Sequence, residues 1–205
     1  MILAWLVVIP TLIGGLAFFS GQGGAQAHRL PRILLLGTAM WHLALSVYLW
    51  RFNEVSSLGI YLGLDELGRI FLTTTSIVFF AVACYLWTYL RETENDAERM
   101  GHFTACLLWF LAAMTLVAVT QHLALVWAAI EATTLTSAPL LFFSRRPQAI
   151  EAAWKYLILC SVGIALALLG TFFLGIAAAG QNADLTLASL LSHAPALSPA
   201  WVRAA

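Results

Sequence analysis

Long apolar runs separated by short polar clusters make up almost the whole chain. No Lys, Arg, Asp or Glu occurs in residues 1–28, 33–50, 70–90, 101–130 or 156–182. About 20 predominantly apolar residues make one helical crossing of a bilayer, and each run is near that size or larger. The pattern predicts a first helix over residues 2–20, ending at the flexible Gly21-Gln22-Gly23-Gly24. A second lies between Pro31 and Arg51, and a third runs from near Leu67 to just before Arg91. A charged loop over residues 91–99 follows. Residues 103–143 form one apolar stretch about twice as long as the hydrocarbon is thick, at roughly 1.5 Å per helical residue. That stretch has to fold back once. Its polar break is Thr120-Gln121-His122, which predicts a tight hairpin between helices four and five. Arg145-Arg146-Pro147 ends the fifth helix, and Pro147 suits the first turn of a sixth reaching about Ala179. Residues 185–191 read as a short amphipathic stretch, in a tail broken by Pro195 and Pro199.

The predicted fold is therefore all-α: a polytopic membrane protein of about six transmembrane helices. Residues 1–100 hold three of them, residues 101–180 hold helices four to six, and residues 181–205 form an extramembrane amphipathic tail. Composition agrees, with 61% apolar and 10% charged residues among 205, where a soluble domain carries about a quarter charged. Net charge is zero, so nothing points to nucleic acid. Cys84, Cys106 and Cys160 sit inside apolar runs without a CxxC pair and read as small buried hydrophobes. The first run has no basic leader and no small-x-small cleavage motif, so it reads as a retained helix. The first, third and fifth loops hold Arg29, Arg32, Arg91, Arg99, Arg145 and Arg146, against Arg51, Arg69 and Arg203 on the other side. The bias of basic residues toward the cytoplasm then predicts a multi-pass protein of the inner (cytoplasmic) membrane with both termini periplasmic.

Glu131 breaks the apolar pattern. It lies roughly 13 Å into the fifth helix, counted from His122 at the helical rise, and so near the bilayer middle. A charge there costs on the order of 3 kcal/mol, whereas each large apolar residue returns only about 0.3 to 0.6. Such an acid is paired, protonated or wet. Intramembrane acids commonly mark ion pathways, so a proton-relay carboxylate is one reading. The other is a structural acid within a polar seam of Thr133, Thr134 and Thr136. Lys155 on the sixth helix has two readings as well: a buried proton carrier, or an interfacial lysine that snorkels and pairs with Glu151 four residues away. His42 is mid-helix, while His102 and His122 sit at helix ends, so two imidazoles at matched depth for a membrane haem are not expected. No metal site, GxSxG or HExxH occurs, and no catalytic residue is assigned.

Residues 126–138 (VWAAIEATTLTSA) resemble the fifth helix of the hydrogenase-4 component F family. That family belongs to the antiporter-like, proton-conducting subunits of complex I, membrane hydrogenases and cation/proton antiporters. Residues 150–156 (IEAAWKY), followed by CSVGIA from Cys160, resemble the start of the family's sixth helix. Residues 64–72 (LDELGRIFL) are similar, less closely, to its third-helix entrance. The resemblance implies a fold of about fourteen helices with two inverted five-helix repeats, of which helices four to six here are the first three of one repeat. It maps two proton-transfer residues onto Glu131 and Lys155. It also implies a proton-translocating complex I-like hydrogenase or NADH-quinone oxidoreductase as the assembly, with neighbouring membrane subunits, the lipid bilayer and protons as partners. Relatives carry no redox centre, so no cofactor and no catalytic centre is expected in this chain. The family continues with a broken seventh helix holding a further lysine beside a proline, just beyond where Arg203-Ala204-Ala205 stands here. A truncated or split product, or one needing a companion chain, is the expectation, and a structural module without a complete proton path is the alternative function. His122 takes no family role and joins Thr133 and Thr134 only as part of a possible polar seam.

Overall fold

The computed structural model describes residues 2–20, 29–52, 59, 61–92, 97–143, 146–181 and 183–205. The Gly21–Gly24 linker, Arg145 and the centre of the charged loop at 93–96 lie outside these residues. Hydrocarbon offers no partner to a backbone N–H or C=O, so an apolar run crossing it closes its hydrogen bonds within itself. Among the described residues six such helices form: α1 (Ile2–Ser20), α2 (Leu30–Phe52), α3 (Glu66–Glu92), α4 (Ala97–Val119), α5 (Leu123–Leu141) and α6 (Pro147–Ala179). All six are long and apolar enough to cross a membrane. The described residues contain isolated bridges but no strand. This is an all-α, multi-pass membrane protein.

The predicted boundaries hold to within a few residues, except that α4 begins about a turn and a half before Phe103. Its first turns run through Glu98 and Arg99, whose guanidinium lies 4.3 Å from the centre of the Phe143 ring. That contact ties the start of α4 to the end of α5, while Pro147 opens α6 as expected. Asp65 caps α3, its carboxylate accepting the Gly68 N–H at 2.7 Å.

Helix α4 is the centre of the bundle, touching α1, α2, α3 and α5, with α1 packed along it most heavily. Half of its most apolar stretch is buried, against 0% for α6, which borders the assembly on one side only. Two apolar clusters fill the interior at different depths. One gathers Leu35, Ala39, Phe79, Ala83, Leu108 and Leu111; the other gathers Leu3, Leu6, Leu49, Leu64, Leu72 and Val119. Van der Waals fit holds membrane helices together where lipid is as apolar as leucine, so small residues at crossings matter. A Cβ on Gly14 of α1 would stand 2.7 Å from the Trp109 ring and 3.3 Å from the Ala105 carbonyl oxygen of α4. Trp109 seals the same crossing by donating to the Thr11 carbonyl at 3.1 Å.

The α4–α5 hairpin is the predicted Thr120–His122 break, and it is stitched on both sides. Gly63 N–H donates to Val119 O and Gln121 N–H to Tyr61 O, both at 2.8 Å. On the other flank, Leu123 N–H donates to Leu185 O at 3.0 Å and Leu187 N–H to Gln121 O at 2.9 Å. The stretch read as an amphipathic tail thus returns to the hairpin. It becomes α7 (Leu187–His193), whose first turn Thr186 caps, then a 3-10 turn (Ala194–Ala196) and α8 (Pro199–Ala204). Leu190 and Leu197 bury against Ala177 and Ala178 at the end of α6. Helix α8 lies back along α6, where a Cβ on Gly170 would meet the Ala205 carbonyl oxygen at 2.8 Å.

Replacing Gly14 with alanine should destabilise the purified protein in detergent by about 1–3 kcal/mol, the usual cost of overpacking. Gly163 of α6, where an added Cβ meets nothing within 4 Å, is the control. Equal thermal midpoints for Gly14→Ala and Gly163→Ala would show that the close crossing does not hold α1.

Candidate functional site in helices five and six

Helices α5 and α6 run antiparallel from the Arg146–Pro147 turn, and two side-chain bonds fix their register. Trp127 Nε1 donates to the Ile164 carbonyl at 2.9 Å. Ser137 and Tyr156 share a hydroxyl–hydroxyl bond, also 2.9 Å. These rungs set Glu131 level with about residue 161, six residues or roughly 9 Å along the axis from Lys155. Of its two readings, Lys155 takes the one in which it pairs with Glu151 and stays outside the α5–α6 interior. Lys155 is 75% exposed on α6 and bonds Glu151, itself 65% exposed, at 2.5 Å. The reason is local: Glu151 precedes it by one helical turn on the same face, a pairing that costs no backbone adjustment. What lies beside Lys155 in sequence, Tyr156, is the residue that enters the seam.

Glu131 is half-buried in mid-helix, and no ion pair or hydrogen bond reaches its carboxylate among the described residues. The surrounding hydroxyls do not turn toward it. Thr133 donates to Ile130 O and Thr134 to Glu131 O, each at 2.7 Å, and Thr136 to Ala132 O at 2.8 Å. These bonds satisfy the hydroxyls within their own helix, as is usual for threonine in hydrocarbon. The three threonines therefore mark a polar strip on α5 without forming a network. His122 stands apart at the head of α5, in extended backbone (φ −114°, ψ 122°), with its ring 5.5 Å from that of Tyr61. Its Nδ1 is buried without a partner among the described residues. Among those residues no group of three His, Cys, Asp or Glu side chains is placed to hold a metal.

The more extensive polar system lies elsewhere, in α2–α4. His42 is fully buried, with both ring nitrogens engaged by hydroxyls of neighbouring helices, which leaves neither open to a haem iron. Sequence reading noted the depth of His42 but not its partners. The signal was present: Thr38, His42 and Ser46 repeat every four residues on one face of α2.

No protein-family model matches the sequence. A curated relative, the hydrogenase-4 component F homologue of Methylacidiphilum infernorum (isolate V4), is 33% identical over a 156-residue alignment that covers 70% of this chain. The chain belongs to the hydrogenase-4 component F-like family of membrane subunits. It spans about a third (32%) of that relative's length. Two solved structures share its fold. A chain of the membrane-bound sulfane sulfur reductase, an archaeal respiratory membrane complex, superposes with a TM-score of 0.79 over 98% of this chain and 42% of its own, at 17% identity. A chain of respiratory complex I from Thermus thermophilus gives 0.67 over 91% and 38%, at 25% identity.

The α5–α6 register carries its own test, with Cys84, Cys106 and Cys160 first replaced by alanine. A Ser137→Cys/Tyr156→Cys pair should cross-link under mild oxidation, and Glu131→Cys/Lys155→Cys should not. The reverse pattern would mean that the two charged residues do share one seam.

Proposed function

We propose that this chain is part of a membrane subunit of a proton-translocating, complex I-like hydrogenase or NADH-quinone oxidoreductase, in which Glu131 takes up and releases protons. Glu131 itself carries this reading: an acid on a membrane-crossing helix, about 13 Å from the hairpin, with no partner among the described residues. Left ionised there, it costs on the order of 3 kcal/mol. A carboxylate that a fold keeps at that cost, without a fixed counter-charge, is free to bind a proton. Kinship to a hydrogenase-4 component F homologue and likeness to a complex I chain support the same assembly.

Lys155 is the second proton-transfer residue of the proposal. Its outward face on α6 carries two exposed charges, Glu151 and Lys155, on a helix long enough to cross the membrane. Lipid solvates such a pair poorly, so a neighbouring membrane subunit or further helices of the same assembly are its natural cover. Waters bridging from that cover would link Lys155 to Glu131 across the axial gap. Electron transfer belongs to partner subunits, and this chain supplies no bond chemistry. We assign the odd loops to the cytoplasm and the Thr120–His122 hairpin to the periplasm on the distribution of arginines.

A second reading, a structural module without a complete proton path, is favoured by one observation: Glu131 and Lys155 do not meet within α5 and α6. Glu131→Gln separates the two. The neutral isostere removes the cost of a buried charge, about 3 kcal/mol, so assembly should be unharmed, while proton uptake by membranes holding the whole complex should be mostly lost. Full uptake in an assembled mutant favours the structural module.

A Gln121→Cys variant should react with an impermeant thiol reagent added outside intact cells. Protection there, with labelling only after lysis, reverses the orientation.

A further inference from the structure

Most of the deeply buried polar side chains of this protein are not on α5 or α6. Arg32, Thr38, His42, Ser46, Arg69, Ser76, Thr104 and Thr115 are all buried and all lie on α2, α3 and α4, whereas α5 and α6 bury only Thr134. Their placement is layered. His42, Ser46, Ser76 and Thr115 fall between the two apolar clusters: between Ala39 and Leu49 on α2, Leu72 and Phe79 on α3, Leu111 and Val119 on α4. A polar layer in the middle of a membrane bundle weakens the apolar packing on either side of it, and such groups mark proton and ion pathways when they persist.

The bonding of that layer is unusual in how many acceptors surround how few protons. His42 Nδ1 lies 2.9 Å from Ser76 Oγ, and Nε2 lies 2.9 Å from Thr115 Oγ1. Each of those hydroxyls also has its own helix carbonyl at 2.7 Å, Leu72 O for Ser76 and Leu111 O for Thr115. Ser46 Oγ donates to His42 O at 2.9 Å and sits 2.7 Å from Ser76 Oγ. A neutral imidazole has one N–H, so one flanking hydroxyl turns its proton to the bare nitrogen and gives up its carbonyl. An imidazolium has two, so both hydroxyls accept from the ring and donate to their carbonyls. The ring is bonded at both nitrogens in either state, and passing between them takes one hydroxyl rotation with no movement of a heavy atom.

We propose that His42 is a proton-loading site in the α2–α4 bundle, a second one beside Glu131. The proposal rests on the reading of the complex as a proton pump. In the loading step the bare ring nitrogen takes a proton from hydronium and leaves water; release is the reverse, and no other reactant is needed. A polar route leads to it from the side of the membrane where α3 begins. Trp50 Nε1 donates to Thr73 Oγ1 at 2.6 Å, and Thr73 donates to Arg69 O at 2.8 Å. Arg69 in turn faces Glu66 at 3.4 Å at the start of α3. The Trp50–Thr73 rung is one helical turn, roughly 5 Å, from the Ser46–Ser76 rung. Toward the other side, Thr38 lies one turn from His42 and donates to Leu34 O, and Thr104 Oγ1 is buried without a partner among the described residues.

The charges around the site are few. Helix α1 brings no ionisable side chain; α2 brings Tyr48, Arg51 and Arg32, six, nine and ten residues from His42; α3 brings Arg69, Cys84, Tyr85 and Glu66, seven, eight, nine and ten residues from Ser76. On α4 the titratable groups are Cys106, His102, Arg99 and Glu98, nine, thirteen, sixteen and seventeen residues from Thr115. No carboxylate lies within two helical turns of His42, Ser76 or Thr115 along their own helices, so a proton on the ring is held by its two hydroxyl acceptors alone. That suits transient occupancy.

The test is His42→Gln in the assembled complex in proteoliposomes. A glutamine amide both donates and accepts, so it can still lock α2 to α3 and α4, but it cannot bind a proton. The number of protons moved per electron pair should fall about twofold or more; a wild-type ratio in assembled His42→Gln complex overturns the proposal. Loss of pumping in Glu131→Gln alone leaves the carboxylate reading standing without His42, loss in His42→Gln alone does the opposite, and loss in neither removes both. Should His42→Gln fail to assemble, nitrogen-15 NMR of labelled histidine in the wild-type complex decides. The ring should convert reversibly between neutral and charged forms on acidification while the helices stay intact. A ring held in one neutral tautomer until the bundle unfolds overturns the proposal as surely.

Discussion

A polar group inside a bilayer has to find its partner within the protein, and nearly every feature of this molecule follows from that. The backbone meets the requirement by forming six helices. The chain reversal at Thr120–His122 meets it by borrowing carbonyls and amides from the segments on either side, at Tyr61–Gly63 and at Leu185–Leu187. Threonines 133, 134 and 136 meet it by donating to carbonyls one turn back. Two ionisable side chains stand out against this background in opposite ways. His42 is fully buried and fully bonded. Glu131 is half-buried, with no carboxylate partner among the described residues.

The helices that carry them, α2 and α5, both touch α4. That helix gives Thr115 to the His42 layer and packs along α5, which carries Glu131. It also crosses α1 closely, where Gly14 admits Trp109. Helix α6, by contrast, offers long exposed apolar faces and the Glu151–Lys155 pair. The proposed function puts partner subunits against that face. Helices α1–α4 hold most of the buried side chains, and α6 leaves the exposed face.

Much of the fold was legible in the sequence because one-dimensional patterns carry it. Runs without charge gave the six spans, and the lone polar break within residues 103–143 gave the hairpin to the residue. The early start of α4 was missed because Arg99 is held by the Phe143 ring, a contact between residues far apart in sequence. The role of the tail was missed for the same reason, since Leu185 and Leu187 pair with a hairpin some sixty residues earlier. For the site, the depth of Glu131 and its helical offset from Lys155 could be counted from the turn. The direction of Lys155 could not, because a helical face is chosen by packing and here Glu151 captured it. The hydroxyl partners of the His42 ring come from two other helices, α3 and α4, and became visible only with their register.

The central claim is that Glu131 binds and releases a proton as the complex turns over. Redox-induced infrared difference spectra of the assembled complex address it directly, with Glu131→Gln as the assignment. The account predicts a carboxylic C=O stretch that appears or vanishes with turnover, shifts in heavy water and is absent in the variant. A difference spectrum in the carboxyl region identical for wild type and Glu131→Gln would contradict it.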